Sequence, residues 1–110
     1  MVDRIMTPTG RAFDLAGLVQ VQPGAVVSRT LVDRKAGSLT VFAFDRGQGL
    51  NEHTSPYEAT VMILEGEAHI TIDGAEQRVG AGRTIILPAH RPHALRAGEP
   101  FKMLLVMIRD

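Results

Sequence analysis

The amino-acid sequence predicts an all-β protein, a single small antiparallel barrel or sandwich, and three observations predict it. Short runs of β-branched and apolar residues alternate with Gly, Pro, Asn and Asp turns along nearly the whole chain. Helical periodicity is almost absent. Asp73-Gly74 joins two alternating runs, Ala68-His69-Ile70-Thr71-Ile72 and Glu76-Gln77-Arg78-Val79. That dipeptide is a strong hairpin signal, because both turn residues must tolerate positive φ.

The elements follow in order. Residues 1–17 carry Pro8, Gly10 and Gly17 without any period, and read as an N-terminal arm that lies across the barrel or crosses to a partner. Residues 18–110 read as the barrel domain. Strands are expected at 26–32 and 39–44, parted by the turn Ala36-Gly37-Ser38. A nearly continuous apolar run at 60–64 stops at Glu65-Gly66, the Asp-Gly hairpin follows, and runs at 84–87 and 101–108 complete the set. The last run does not alternate, so both of its faces should be covered.

Composition bounds the rest. A chain of 110 residues is one domain, long enough to bury roughly 65% of its unfolded surface. Twelve Lys and Arg balance twelve Asp and Glu, so nothing electrostatic favours nucleic acid or an anionic membrane as a partner. The chain has no cysteine, which removes disulfides, thiolate ligands and thiol nucleophiles. Its longest greasy stretch, 103–108, is too short to span a bilayer. A cytoplasmic, soluble protein is expected. Near-zero net charge does little to hold copies apart, and a homodimer through edge strands and the N-terminal arm would hide open backbone groups.

Two segments punctuated by glycine and proline carry the chemistry. The first runs Gly47-Gln48-Gly49-Leu50-Asn51-Glu52-His53-Thr54-Ser55-Pro56-Tyr57-Glu58-Ala59 and on to Gly66; the second runs Gly82-Arg83-Thr84-Ile85-Ile86-Leu87-Pro88-Ala89-His90-Arg91-Pro92-His93. Together they resemble the two halves of the cupin signature, in the small single-domain, RmlC-like type called cupin-2. The resemblance spans residues 39–97 and implies an antiparallel jelly-roll barrel, or double-stranded β-helix. In that family the two motifs bring metal-binding side chains together inside the barrel. His53 and His93 fall on ligand positions. Ser55 and Ala59 stand where the family usually has a second histidine and a Glu or Gln, and His90 stands where it commonly has Gly or Asn.

Two imidazoles are one ligand short of a catalytic zinc site or of a two-histidine, one-carboxylate iron site. Strand alternation points Glu58 away if Ala59 points inward, and Glu52 meets the same objection beside His53. A bulge near Pro56 would turn Glu58 inward and complete a His53-Glu58-His93 set for one divalent ion, Fe, Mn, Ni or Zn. Tyr57 falls at the cavity rim in this alignment, as a proton donor, a ligand contact or plain packing. Taken singly, His53 could cap backbone groups and His93 could be a hydrogen-bonded core residue. His69 alternates onto the solvent side, and His90 reads as a turn residue. Ser55-Pro56 reads as a turn and not as a nucleophile. Phe42, Phe44, Val61, Ile63, Leu95, Met103, Leu105 and Met107 read as core or pocket wall.

The expectation is a protein that binds or transforms a small organic molecule in an apolar pocket floored by His53 and His93. Three alternatives stay open: a metal-dependent oxygenase, isomerase or lyase; a metal-free proton-transfer enzyme; and a binding, sensing or structural module. Fold alone does not choose among them.

Overall fold

The computed structural model describes residues 8–110. The part of the expected arm at 1–7 lies outside the described residues. The strands are β1 (Val26–Arg34), β2 (Gly37–Phe44), β3 (Gly49–His53), β4 (Ala59–Glu65), β5 (Glu67–Ile72), β6 (Ala75–Gly80), β7 (Thr84–Leu87), β8 (His93–Arg96) and β9 (Phe101–Ile108). Every pairing is antiparallel, and the strands form two sheets, β1-β2-β9-β4-β7 and β3-β8-β5-β6. This is the all-β jelly-roll barrel that the sequence pattern predicts. Among the described residues no helix is long and apolar enough to cross a membrane.

Turn chemistry sets the hairpins. Asp73 (φ 52°) and Gly74 (φ 80°) both take left-handed backbone between β5 and β6, as the Asp-Gly signal requires. Gly66, which closes the first motif, sits at φ +76°, and a Cβ there would stand 2.5 Å from the carbonyl oxygen of Pro100. Only glycine fits that crossing.

One apolar core fills the space between the sheets. Phe44, Val61, Ile63, Phe101 and Met103 of the first sheet meet Ala68, Ile70, Val79 and Leu95 of the second. Phe44 stacks on Phe101 with centroids 4.5 Å apart and planes 11° off parallel, and Phe42 extends the stack from the other side of Phe44.

The outer face of the first sheet explains why β9 does not alternate. Val19 of the N-terminal segment is buried with Val41 and Ala43, with Leu15, Leu64 and Leu104 packed around them. Lys102, also buried, donates from Nζ to the Ala16 carbonyl at 2.9 Å and pairs with the Glu65 carboxylate at 3.5 Å. A buried ammonium with both partners is tolerable, where a lone one would not be. The described part of the N-terminal segment thus lies across the chain's own barrel. It leaves the far half of the same face bare: Met62, Ile86 and Ile108 are 40%, 55% and 63% exposed.

Removing the central ring should open the core from both sheets. Phe44→Ala is expected to cost about 3–5 kcal/mol in urea denaturation. A loss under about 1 kcal/mol would show that the stack is not the centre of the core.

Candidate functional site

The two histidines reach one place through a fault in strand pairing. Gly49 lies opposite Arg96 and Leu50 opposite Leu95, so an unbroken ladder would set Glu52 opposite His93. The register shifts between Leu50 and His53, and the Cα partner of His93 is His53 instead. One extra residue on β3 makes a bulge, which re-aims the side chain that follows it. Glu52 is consequently exposed and takes no part in the cavity wall. On β8 plain alternation suffices, and His93 and Leu95 are buried on the same face.

The loops around the pair are tied together. The His90 N–H donates to the Ser55 carbonyl at 2.7 Å, joining the second motif to the first. His90 sits at φ 64°, which explains a turn position where glycine or asparagine is common. Arg91 pairs with Asp73 at 2.8 Å, and the Asp73 N–H donates to the Pro92 carbonyl at 2.9 Å, fixing the entry into β8.

The rings of His53 and His93 meet edge to face, centroids 4.4 Å apart and planes at 73°. Each ring is anchored locally: Nδ1 of His53 bonds the Asn51 carbonyl at 2.7 Å, and Nδ1 of His93 bonds the Arg91 carbonyl at 3.1 Å. A carbonyl only accepts, so both Nδ1 atoms carry hydrogen and both neutral rings keep their lone pair at Nε2. Burial and the neighbouring His53 hold the His93 pKa below its ordinary 6.5, and the Arg91 carbonyl bond offsets part of that. Two such rings side by side accept one proton more easily than two.

These rings stand at one side of a partly enclosed cavity with an empty volume of about 370 Å³, its open mouth included. The other walls are Leu50, Ala59, Val61, Leu87, Leu95, Met103, Leu105 and Met107, with Ser55 the remaining polar residue. Ser55 and Ala59 therefore do face inward. The Ser55 hydroxyl is engaged as an acceptor from the Tyr57 N–H at 3.1 Å, which is a turn contact and not a nucleophile's.

Tyr57 and Glu58 stand elsewhere. Both line a separate groove with Thr60 and Val106 on the outer face of the first sheet. The expected rim position of Tyr57 and the inward turn of Glu58 are corrected, for a physical reason: the bulge lies in β3 and not near Pro56, so alternation through Ala59 points Glu58 away. Among the described residues no three His, Cys, Asp or Glu side chains are grouped to hold a metal ion. His69 lies on the outer face of the second sheet, half-buried between Glu67 and Glu76. Leu50 and Leu87 are wall residues that pattern reading does not single out, although Leu87 ends an apolar run just before Pro88.

The family model for the cupin domain matches residues 40–108. This chain belongs to the cupin family. A conserved protein of unknown function from Streptococcus pyogenes is similar at 44% identity and a TM-score of 0.90, with 98% of this cupin and 93% of that chain covered. A cupin superfamily protein from Desulfitobacterium hafniense is 29% identical with a TM-score of 0.88, covering 94% of each chain. A cupin 2 conserved barrel domain protein from Leptotrichia buccalis is 38% identical, TM-score 0.85, over 88% of this cupin and 47% of that chain. No curated protein matches.

The side chains of this cupin do not fit the divalent centre that its family often carries. Two imidazoles face the cavity without a carboxylate, and the two remaining ligand positions hold a turn hydroxyl and a methyl group.

The histidine pair generates a prediction about protons. Above pH 6.5 His93 is neutral folded or unfolded, and its contribution to stability is complete. As pH falls through the lowered folded value the unfolded chain takes the proton first, and stability is lost. In histidine NMR titrations His93 should titrate below 6.5, and His53→Ala should move it upward, because the neighbouring charge is gone. An unmoved midpoint would show that the rings do not sense each other.

Proposed function

We propose that this cupin binds, and can turn over, a small organic molecule in the cavity, with the two imidazoles and not a divalent ion supplying the polar contacts. The observation that carries the reading is the pair of anchored rings, each with its Nε2 lone pair free, set in otherwise apolar walls. Such a surface suits a compact ligand with one weakly acidic proton, an enol or a phenol, whose O–H donates to Nε2. As a catalyst the pair would move that proton. His53, on the exposed side, takes it and exchanges readily with water, and buried His93, which resists charging, presents the neutral ring that positions the ligand. No step in this scheme needs Tyr57 or Glu58.

A non-catalytic binding module is the second reading, and the observation favouring it is Ser55 and Ala59 facing the cavity at positions the family uses for ligands. Both readings require an occupied cavity. In ligand-observed NMR against small phenols and enolisable ketones, binding should be lost in Ala59→Phe, which fills the cavity, and in His53→Ala with His93→Ala. If no probe binds, or if binding survives both changes, the reading is wrong. Proton exchange at the ligand's α carbon, present with His53 and absent with His53→Ala, separates the enzyme from the module.

We further propose a homodimer. Val32, Leu39, Val106, Thr60 and Ile86 are successive partners in one row across all five strands of the first sheet, four of them apolar. With exposed Met62 and Ile108 beside it, this row is the apolar surface a second copy would cover. Sedimentation equilibrium should give a dimer, and Ile86→Glu should shift it toward monomer. A monomeric natural protein would overturn the proposal.

A further inference from the structure

We infer that the cavity is also a copper(I) site, held by the Nε2 atoms of His53 and His93 and the thioether sulfur of Met107. The inference uses the same cavity but does not depend on an organic ligand. The two nitrogens are prepared for it by their tautomer. Backbone carbonyls of Asn51 and Arg91 occupy both Nδ1 atoms, and no described protein group hydrogen-bonds either Nε2. Metal-ligating histidines are oriented in this way, through a hydrogen bond from the other ring nitrogen. Rings 4.4 Å apart bring the two lone pairs to one side of one cavity.

Met107 comes from the facing sheet. It is the Cα partner of Ala59, and both line the cavity. Ala59 contributes only a methyl group, which leaves the space beside it to the longer thioether chain. Three rotatable bonds let the sulfur adjust its approach. Met103 lines the same cavity from four residues further along β9, about 13 Å away at the rise of a strand. It stays in the wall.

Charge decides the oxidation state. No carboxylate lines the cavity, so a bound ion keeps its full charge among apolar side chains. The Born cost grows as the square of the charge, and a singly charged ion costs about a quarter of what a doubly charged one does. Thioether with imidazole is also a soft donor set, which favours Cu(I) over Fe, Mn or Zn as divalent ions. The features that make the cavity a poor divalent centre are those that suit a monovalent soft one.

The test uses untagged protein under anaerobic conditions, with Cu(I) competed against the chromophoric chelator bicinchoninate. About one Cu(I) per chain is expected, with X-ray absorption at the copper edge showing about one sulfur and two nitrogen neighbours. Met107→Leu, close in volume, should lose the sulfur neighbour and weaken binding at least about tenfold. Met103→Leu should change neither, and His53→Ala or His93→Ala should abolish binding. Absence of Cu(I) binding by the natural chain, a shell of nitrogen alone, or a loss at Met103→Leu in place of Met107→Leu would each overturn the inference. The sulfur signal of the natural protein decides the matter even where a variant fails to fold. A chain that takes a phenol probe and no Cu(I) defeats this inference alone; the reverse result supports it and defeats only the organic-ligand reading.

Discussion

The central strand β9 is the constraint on which the barrel depends. It is the one strand hydrogen-bonded on both edges within the larger sheet and covered on both faces over most of its length. Its inward side chains, Phe101, Met103, Leu105 and Met107, run from the aromatic stack at one end to the cavity at the other. Its outward side chains, Lys102 and Leu104, receive the N-terminal segment. Burial of this one strand thus builds the core, shapes the cavity and seats the chain that crosses outside. Eight consecutive partners with β2 leave it no freedom to slip, since a slip of one residue would send every apolar side chain to the wrong face.

The cavity is built from a contrast between its two walls. β9 and β4 supply a wall of aliphatic and thioether groups, and β3 and β8 supply two imidazoles whose hydrogen-bond needs are half met by their own backbone. That half-satisfaction makes the site reactive. A ring bonded at both nitrogens would be inert, and a ring bonded at neither would be costly to bury. One carbonyl per ring fixes the tautomer and leaves one lone pair facing a space of low polarity, where electrostatic interactions are stronger than in water.

Much of this was legible in the amino-acid sequence. The Asp73-Gly74 hairpin, the apolar runs that became β4, β7 and β9, and the meeting of His53 with His93 all follow from turn chemistry, patterning and the motif resemblance. The strands that bear the histidines were not legible as strands. β3 reads Gly-Leu-Asn-Glu-His and β8 reads His-Ala-Leu-Arg, too short and too polar for a pattern to emerge from either. Nor could pattern locate the bulge. A one-residue offset leaves no compositional trace, so whether Glu52, Glu58 or neither faced the histidines depended on a ladder that only coordinates display. The exposed outer row across the larger sheet was hidden for a related reason. Its members, Val32, Leu39, Val106 and Ile86, belong to strands that are neighbours in space and scattered along the chain.

The irregularity between Leu50 and His53 has an evolutionary meaning. Loss of a single codon there would let the ladder run true and swing Glu52 to the position His53 now holds, opposite His93. An imidazole pair would become an imidazole and a carboxylate, a hard acidic donor set in place of a neutral soft one. Few lineages would need to explore point substitutions to retune such a barrel; an indel in one short strand trades one coordination chemistry for another and leaves the inner apolar walls as they were.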